Sequence, residues 1–361
     1  MIRVLVVDDS PVVRSILARD LAAEPDIEVI GVAADAYEAR EKILSLAPDV
    51  VTLDVQMPRM DGLTFLGRLM TYHPLPVVIF SSLTTPNSET ALDALAIGAV
   101  EVVAKPAAGG DVAAVSRQLV RAIRAAAAAN LNHQPDAGAD TKPAIRPIKA
   151  NPGLRSLIRQ RVIAIGASTG GPAAIERVLS AMPAGSPPVL IVQHMPPGFA
   201  DAFARRLDAG SEMNVRVAAD GDLVTPGVAL VAPGDRHMIV LGRASELRVG
   251  LRDGPPVHHQ RPAVDVLFHA LAATVGADAV GILLTGMGSD GANGMRALRD
   301  AGAHTIAQNE ESCVVFGMPG EAIRRDGVCE TLPLAHIPVA ALNAATSILL
   351  EQTAAAAKPL S

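Results

Sequence analysis

The chain has 361 residues, of which hydrophobic types make up 50%, charged types 19% and aromatics 2%, with no tryptophan and a formal net charge of -6. That length suits two domains. The composition excludes a disordered chain and, with 30 glycines and 27 prolines, a coiled-coil rod. Scarce aromatics argue against base- or sugar-stacking platforms. Two cysteines, Cys313 and Cys329, cannot build a disulfide framework or a four-cysteine zinc site, and their apolar settings read as core. No run of about 18 apolar residues predicts a transmembrane helix. The N-terminus reaches Asp8-Asp9 too soon for a signal peptide, so a cytoplasmic protein is expected.

The apolar runs Val4–Val7, Val29–Ala33, Val50–Leu53, Val77–Phe80 and Val100–Val103 read as strands buried on both faces. Helical spacing separates them, as in Pro11–Ala23 and Ala36–Leu46. Residues 125–160 are rich in small, polar and breaker residues, and the five alanines Ala125–Ala129 read as the end of the preceding helix. Net charge is -7 over residues 1–106, +5 over 107–160 and -4 over 161–361. The basic connector is either a solvated linker or a surface for an acidic partner. Further strand runs follow at Val162–Ile165, Val189–Gln193, Val228–Ala232, Met238–Leu241, Ala279–Leu284 and His304–Ala307. Helical stretches lie between several of them (Ala173–Ala181, Phe199–Ala209, Ala263–Val275 and Ala292–Ala301). The expected architecture is α/β, with two doubly wound parallel-sheet domains joined by a linker.

Chemistry clusters at the predicted strand ends, where open α/β sheets bind ligands. In the first domain these are Asp8 and Asp9, Asp54, Ser81, and Lys105-Pro106, whose peptide is expected to be cis. Three crowded carboxylates suit Mg²⁺, and Asp54 becomes a nucleophile toward a phosphoryl donor. Any one of these aspartates alone reads as a helix cap. Val7-Asp8-Asp9-Ser10, the segment Leu53–Gly62, Phe80-Ser81-Ser82 and Ala104-Lys105-Pro106 together resemble the response-regulator receiver family over residues 1–124. The resemblance implies a flavodoxin-like fold and phosphorylation of Asp54 by a histidine kinase. It also implies Mg²⁺ on Asp8, Asp9 and Asp54, with Ser81 and Lys105 as switch residues. Val102 stands where many receivers carry an aromatic switch residue.

In the second domain, Val162–Pro172 reads strand, glycine-rich turn, helix start. Gly166-x-x-x-x-Gly171 approaches a nucleotide-binding fingerprint, but the next strand ends in Gln193-His194 rather than an acidic residue. Gly166-Ala167-Ser168-Thr169-Gly170 also matches the G-x-S-x-G turn that presents a serine nucleophile. His194 is then its base and Asp290, beyond the strand at Val280–Leu284, the orienter. Taken singly, Ser168 reads as a helix N-cap, His194 as a strand end and Asp290 as a cap of the helix from Ala292. The stretch His258–Pro262 is either a substrate-contacting loop or plain surface.

Ala164–Pro172, Gln193-His194-Met195, Ala232–Met238, Arg261–Phe268 and Leu284–Gly291 resemble the catalytic domain of the chemotaxis protein-glutamate methylesterases, the CheB family. The resemblance spans residues 161–350, leaving a tail at 351–361. It implies a Rossmann-like domain, phosphorylation-activated hydrolysis of glutamate γ-methyl esters on methyl-accepting chemoreceptors, and deamidation of receptor glutamines. The catalytic residues are then Ser168, His194 and Asp290, the oxyanion donors lie near Thr169 and Met287, and the esterase site uses no cofactor. No nucleic acid or membrane insertion is expected. The alternative is a phospho-switched nucleotide-binding protein without catalysis; a DNA-binding output domain is disfavoured by the acidic second domain.

Overall fold

The apolar runs of the N-terminal segment form a parallel sheet in the computed structural model, which describes residues 1–81, 85–106, 112–131, 161–196, 198–243 and 246–345. The strands are β1 (Ile2–Val7), β2 (Ile27–Ala33), β3 (Val50–Leu53), β4 (Val77–Ser81) and β5 (Glu101–Ala104), in the order β2-β1-β3-β4-β5. The connections are α1 (Pro11–Ala22), α2 (Ala36–Leu46), α3 (Gly62–Tyr72) and α4 (Thr85–Ile97), and α5 (Val112–Ala127) follows β5. Every residue of β3 and β4 is buried, as expected for strands with helices on both faces. Asp35 caps α2 by accepting from the Tyr37 and Glu38 amides, and Asp61 caps α3 through Thr64. The chain leaves β1 toward β2 and returns on the other side to β3. The switch point therefore lies between β1 and β3, above Asp8 and Asp54. Lys105–Pro106 is not cis; the cis bond among the described residues is Arg261–Pro262.

The chain divides into two compact units, Met1–Asn132 and His133–Ser361. Helix α5 runs on to Ala127, beyond residue 124. The rest of the expected linker, residues 132–160, and the expected tail lie outside the described residues.

The second unit contains β6 (Val162–Ala167), α6 (Gly171–Ser180), β7 (Val189–Gln193), α7 (Ala200–Gly210), β8 (Asn214–Val217), β9 (Val228–Val231), β10 (His237–Arg243) and β11 (Glu246–Arg252). It continues with α8 (Val264–Thr274), β12 (Ala279–Leu283), α9 (Ala292–Asp300), β13 (His304–Gln308), α10 (Met318–Arg324) and β14 (Glu330–Leu332). Seven parallel strands run β14-β13-β12-β6-β7-β9-β8. The chain leaves β6 toward β7 and returns on the far side at β12, so the switch point lies between β6 and β12.

The sequence reading missed β8, β11 and β14, all of which contain polar residues. It also took Met238–Leu241 as another buried strand. That segment belongs to β10, which pairs antiparallel with β11 in a separate hairpin. Burial there alternates: Met238, Val240, Leu247, Val249 and Leu251 share a cluster with Val264, Leu267, Phe268 and Leu271 of α8, whereas Leu241 is 41% exposed. Cys313 is buried, with its thiol pushed up to about 12 by burial, but Cys329 is exposed. The latter precedes the edge strand β14, which leaves it outside the core. Among the described residues no helix is long and apolar enough to cross a membrane.

Candidate active site

Ser168 follows β6 directly, and its hydroxyl is not a helix cap. The N-cap of α6 is Gly170, in the left-handed region at φ 75° with no side-chain cap bond. A Cβ at Gly170 would lie 2.6 Å from Val314 Cβ, so the turn requires glycine on both counts. The main chain of Ser168 is held at both ends. Its amide donates to the Thr285 carbonyl at 3.0 Å, and its carbonyl accepts from the Gly171 amide at 2.8 Å.

His194 and Asp290 meet. His194 Nε2 lies 2.7 Å from Asp290 Oδ2, with both side chains buried. Burial opposes ionisation of Asp290, but the His194 hydrogen bond and the Asp265 and Val264 amides outweigh it and hold the carboxyl below its ordinary value. An ionised carboxylate only accepts, so the shared proton sits on His194 Nε2 and the lone pair of the neutral ring is on Nδ1. That Nδ1 is buried and has no hydrogen-bond partner among the described residues. Ser168, His194 and Asp290 thus come from the ends of β6, β7 and β12, which are adjacent in the sheet. Ser168 Oγ and His194 Nδ1 share no hydrogen bond in this structure.

Asp290 is a cap, but not of the helix it precedes. Its Oδ2 accepts from Val264 N at 2.7 Å and its Oδ1 from Asp265 N at 2.9 Å, which satisfies the first turn of α8. Asp265 Oδ1 in return accepts from Gly294 N in the first turn of α9 at 2.7 Å. Neither helix has a cap of its own at Ala263 or Gly291.

Three supporting residues carried no distinctive sequence signal for these roles. Gln193 Nε2 donates to the Ser168 carbonyl at 2.9 Å and the His194 carbonyl at 2.8 Å. Thr285 Oγ1 donates to the Thr169 carbonyl at 3.0 Å and accepts from Val315 N at 2.9 Å. Gly286 abuts Ser168: a Cβ there would lie 2.7 Å from Ser168 Cβ. Thr169 is buried, and Met287, one residue past Gly286, is 38% exposed. The nucleotide alternative finds no support. The residue ending β7 is Gln193, engaged with two backbone carbonyls, and its Oε1 occupies the space beside Gly171.

In the first unit, Asp8, Asp9 and Asp54 carry oxygens within 4.8 Å of one another. Lys105 Nζ lies 2.6 Å from Asp54 Oδ2 and 2.7 Å from Asp8 Oδ2. Burial works against the Lys105 ammonium, but its ion pairs with Asp54 and Asp8 outweigh it and raise its pKa. Burial also pushes the Asp8 carboxyl up, against the pull of Lys105. Buried Asp8 Oδ2 has no donor in hydrogen-bond geometry despite its closeness to the ammonium. One cation against three carboxylates, with an oxygen left over, fits a divalent hard ion such as Mg²⁺. Ser81 is buried at the end of β4, and its carbonyl accepts from Lys105 N at 2.9 Å.

The CheB methylesterase family matches residues 163–341, and the response regulator receiver domain family matches residues 4–116. A protein-glutamate methylesterase/protein-glutamine glutaminase of Syntrophus aciditrophicus is 50% identical over 338 residues, covering 93% of this chain and 97% of its own. A counterpart from Geobacter metallireducens is 49% identical over 92% of this chain and 96% of its own. The chain belongs to the CheB family. The CheB methylesterase catalytic domain of Thermotoga maritima superposes with a TM-score of 0.50 at 36% identity, over 51% of this chain and 97% of that one. This CheB chain carries a receiver domain followed by a methylesterase domain, and both are parallel α/β folds as expected.

Proposed function

We propose that this chain hydrolyses glutamate γ-methyl esters on methyl-accepting chemoreceptors, releasing methanol, and deamidates receptor glutamines, with phosphorylation of Asp54 raising the rate. The reading takes residues 1–127 as receiver, 128–160 as linker, 161–350 as catalytic domain and 351–361 as tail, in a cytoplasmic protein. The observation that carries it is the buried 2.7 Å contact of His194 Nε2 with Asp290 Oδ2, which leaves the Nδ1 lone pair as the available base.

Ser168 Oγ attacks the γ-carbonyl as His194 Nδ1 takes its proton. Asp290 stabilises the imidazolium that forms. The tetrahedral intermediate collapses as His194 returns the proton to the leaving methoxy oxygen or amide nitrogen, releasing methanol or ammonia. Water then attacks the acyl-serine by the same route. Acid–base transfer of this kind contributes roughly 10²–10⁴-fold. The Thr169 and Met287 amides, on either side of the Ser168–Gly286 contact, are the oxyanion donors of this reading, each worth about 3 kcal/mol. An ester and an amide reach one tetrahedral geometry, so one site serves both reactions.

In the receiver, Asp54 accepts the phosphoryl group from a chemotaxis histidine kinase. Asp8, Asp9 and Asp54 would hold Mg²⁺, which neutralises charge on the transferring phosphoryl group. Lys105 and Ser81 then meet the phosphoryl oxygens. The test is methanol release from methylated receptor fragments by the wild type and by Ser168→Ala. Release by the wild type alone supports the reading, and equal release by both overturns it.

A further inference from the structure

The loop after β11 contains a second imidazole–carboxylate pair beside the first. Val257 and Gln260 exchange backbone hydrogen bonds at 3.0 and 2.9 Å, closing a two-residue turn on His258 and His259. Both histidines are left-handed, at φ 51° and 63°, where glycine or asparagine is the usual occupant. The turn carries His258 Nε2 to 2.9 Å from Asp265 Oδ2. The Asp265 side chain is 6% exposed and that of His258 34%.

Asp265 is tied to the triad acid. Its own amide donates to Asp290 Oδ1, while its carboxylate holds the first turn of α9, the helix that Asp290 precedes. The two carboxylates therefore cap each other's helices. Polar side-chain atoms of His258, Asp265 and Asp290 lie within 4.8 Å of one another. Every oxygen of both carboxylates already accepts an N–H: Asp290 Oδ1 from Asp265 and Gly291, Asp290 Oδ2 from Val264 and His194, Asp265 Oδ1 from Gly294 and Asp265 Oδ2 from His258. That full set favours a hydrogen-bonded relay over a metal site. Two neighbouring buried carboxylates repel, and a donor on Asp265 reduces the negative field that Asp265 adds at the Asp290–His194 pair.

We propose that His258 is a positioning residue of the esterase site, acting through Asp265 on the Asp290–His194 pair. The inference rests on the esterase reading. The ionisable groups near His258 are Asp265 of α8 and Asp290 of the β12–α9 loop, with His194 behind it; its own loop also carries His259 and Arg261. Arg261 is directed away, to the Gly254 carbonyl at 2.8 Å. His237 holds the loop from β10: its Nδ1 accepts from Ala263 N at 3.2 Å and its Nε2 donates to the Pro255 carbonyl at 3.1 Å.

The experiment follows, in the full chain, the pH dependence of Ser168 phosphonylation by an alkyl fluorophosphonate. The serine oxygen forms the bond to phosphorus, fluoride leaves and His194 takes the hydroxyl proton. The wild type reacts and Ser168→Ala does not. His258→Ala reacts about tenfold more slowly at neutral pH, and the lower limb of its rate–pH profile moves up by about half a unit, because His194 holds its proton more tightly. His258→Gln, which keeps an N–H donor, stays within about threefold of the wild type with the wild-type limb. Asp265→Asn moves the limb down, since it removes a negative charge. An unmoved limb in His258→Ala, or equal losses in His258→Ala and His258→Gln, overturns the proposal. Failure of the wild type to react overturns the esterase reading itself and the proposal with it.

Discussion

Gln193 and Ser168 are joined by a 2.9 Å hydrogen bond from the glutamine amide to the serine carbonyl, and the same nitrogen reaches the His194 carbonyl at 2.8 Å. One planar group thus fixes the main chain of Ser168 against that of His194. Replacing Gln193 with Glu removes both donors and turns a carboxyl toward two carbonyls. Losing buried hydrogen bonds of this kind costs about 1–3 kcal/mol. Gln193→Glu should therefore lower kcat about ten- to a hundredfold with KM little changed, measured by methanol release across substrate concentration. An unchanged kcat would show that the strands alone align Ser168 with His194.

Asp290→Asn keeps the shape of the side chain but removes the charge that fixes the His194 tautomer. An amide nitrogen in place of either oxygen would also face a backbone N–H in the first turn of α8. We expect kcat to fall roughly 10²–10⁴-fold. Ser168→Ala should remove the chemical step altogether. Steady-state kinetics on a methylated receptor peptide distinguish the two.

The depressed pKa of Asp290 carries a stability consequence. The folded state favours the ionised carboxyl, so its contribution is complete above the ordinary value of 3.8 and is lost as pH falls through the lower folded value. The Tm difference between the wild type and Asp290→Asn should hold steady near neutrality and shrink below about pH 4. A difference that grows on acidification would contradict the depressed pKa.

Gly286→Ala should damage both fold and rate. The new Cβ would lie 2.7 Å from Ser168 Cβ and collide with Met318 Sδ. Overpacking of this kind costs about 1–3 kcal/mol. The expected result is a lower Tm in thermal denaturation, with kcat reduced beyond what the lost folded fraction explains.

In the receiver, phosphate incorporation from acetyl phosphate should require Mg²⁺ and stop on chelation. Asp54→Ala should abolish it, and with it any phosphodonor-dependent rise in esterase rate. Asp9→Ala should weaken it by raising the Mg²⁺ concentration needed. Intact-mass measurement reads the modification directly. Incorporation that persists in Asp54→Ala would place the phosphoryl group elsewhere.

Much of this architecture was legible in the sequence because it rests on local pattern. Short runs of Val, Ile and Leu separated by amphipathic helices specify strands buried on both faces, and α2 was read at Ala36–Leu46, the bounds it has in the structure. The ends of such strands are the places where Asp8, Asp54, Ser168, His194 and Asp290 stand, so those candidates followed from position. Where a run was apolar by composition but half-buried in fact, as in β10 with its exposed Leu241, local pattern misled: a hairpin and a central strand can share the same short run. Edge strands with polar residues, such as Glu330–Leu332, carried too weak a pattern to see.

Tertiary structure alone decided which nitrogen of His194 faces Asp290, because a tautomer is set by the partner and not by the residue type. It also decided that Ser168 leaves the capping of α6 to Gly170, and that Asp290 caps α8 rather than the helix it precedes. Gln193 and Asp265 make their contacts with segments distant along the chain. One-dimensional spacing records which side chains exist at strand ends. Which lone pair meets which proton depends on how those ends converge in space.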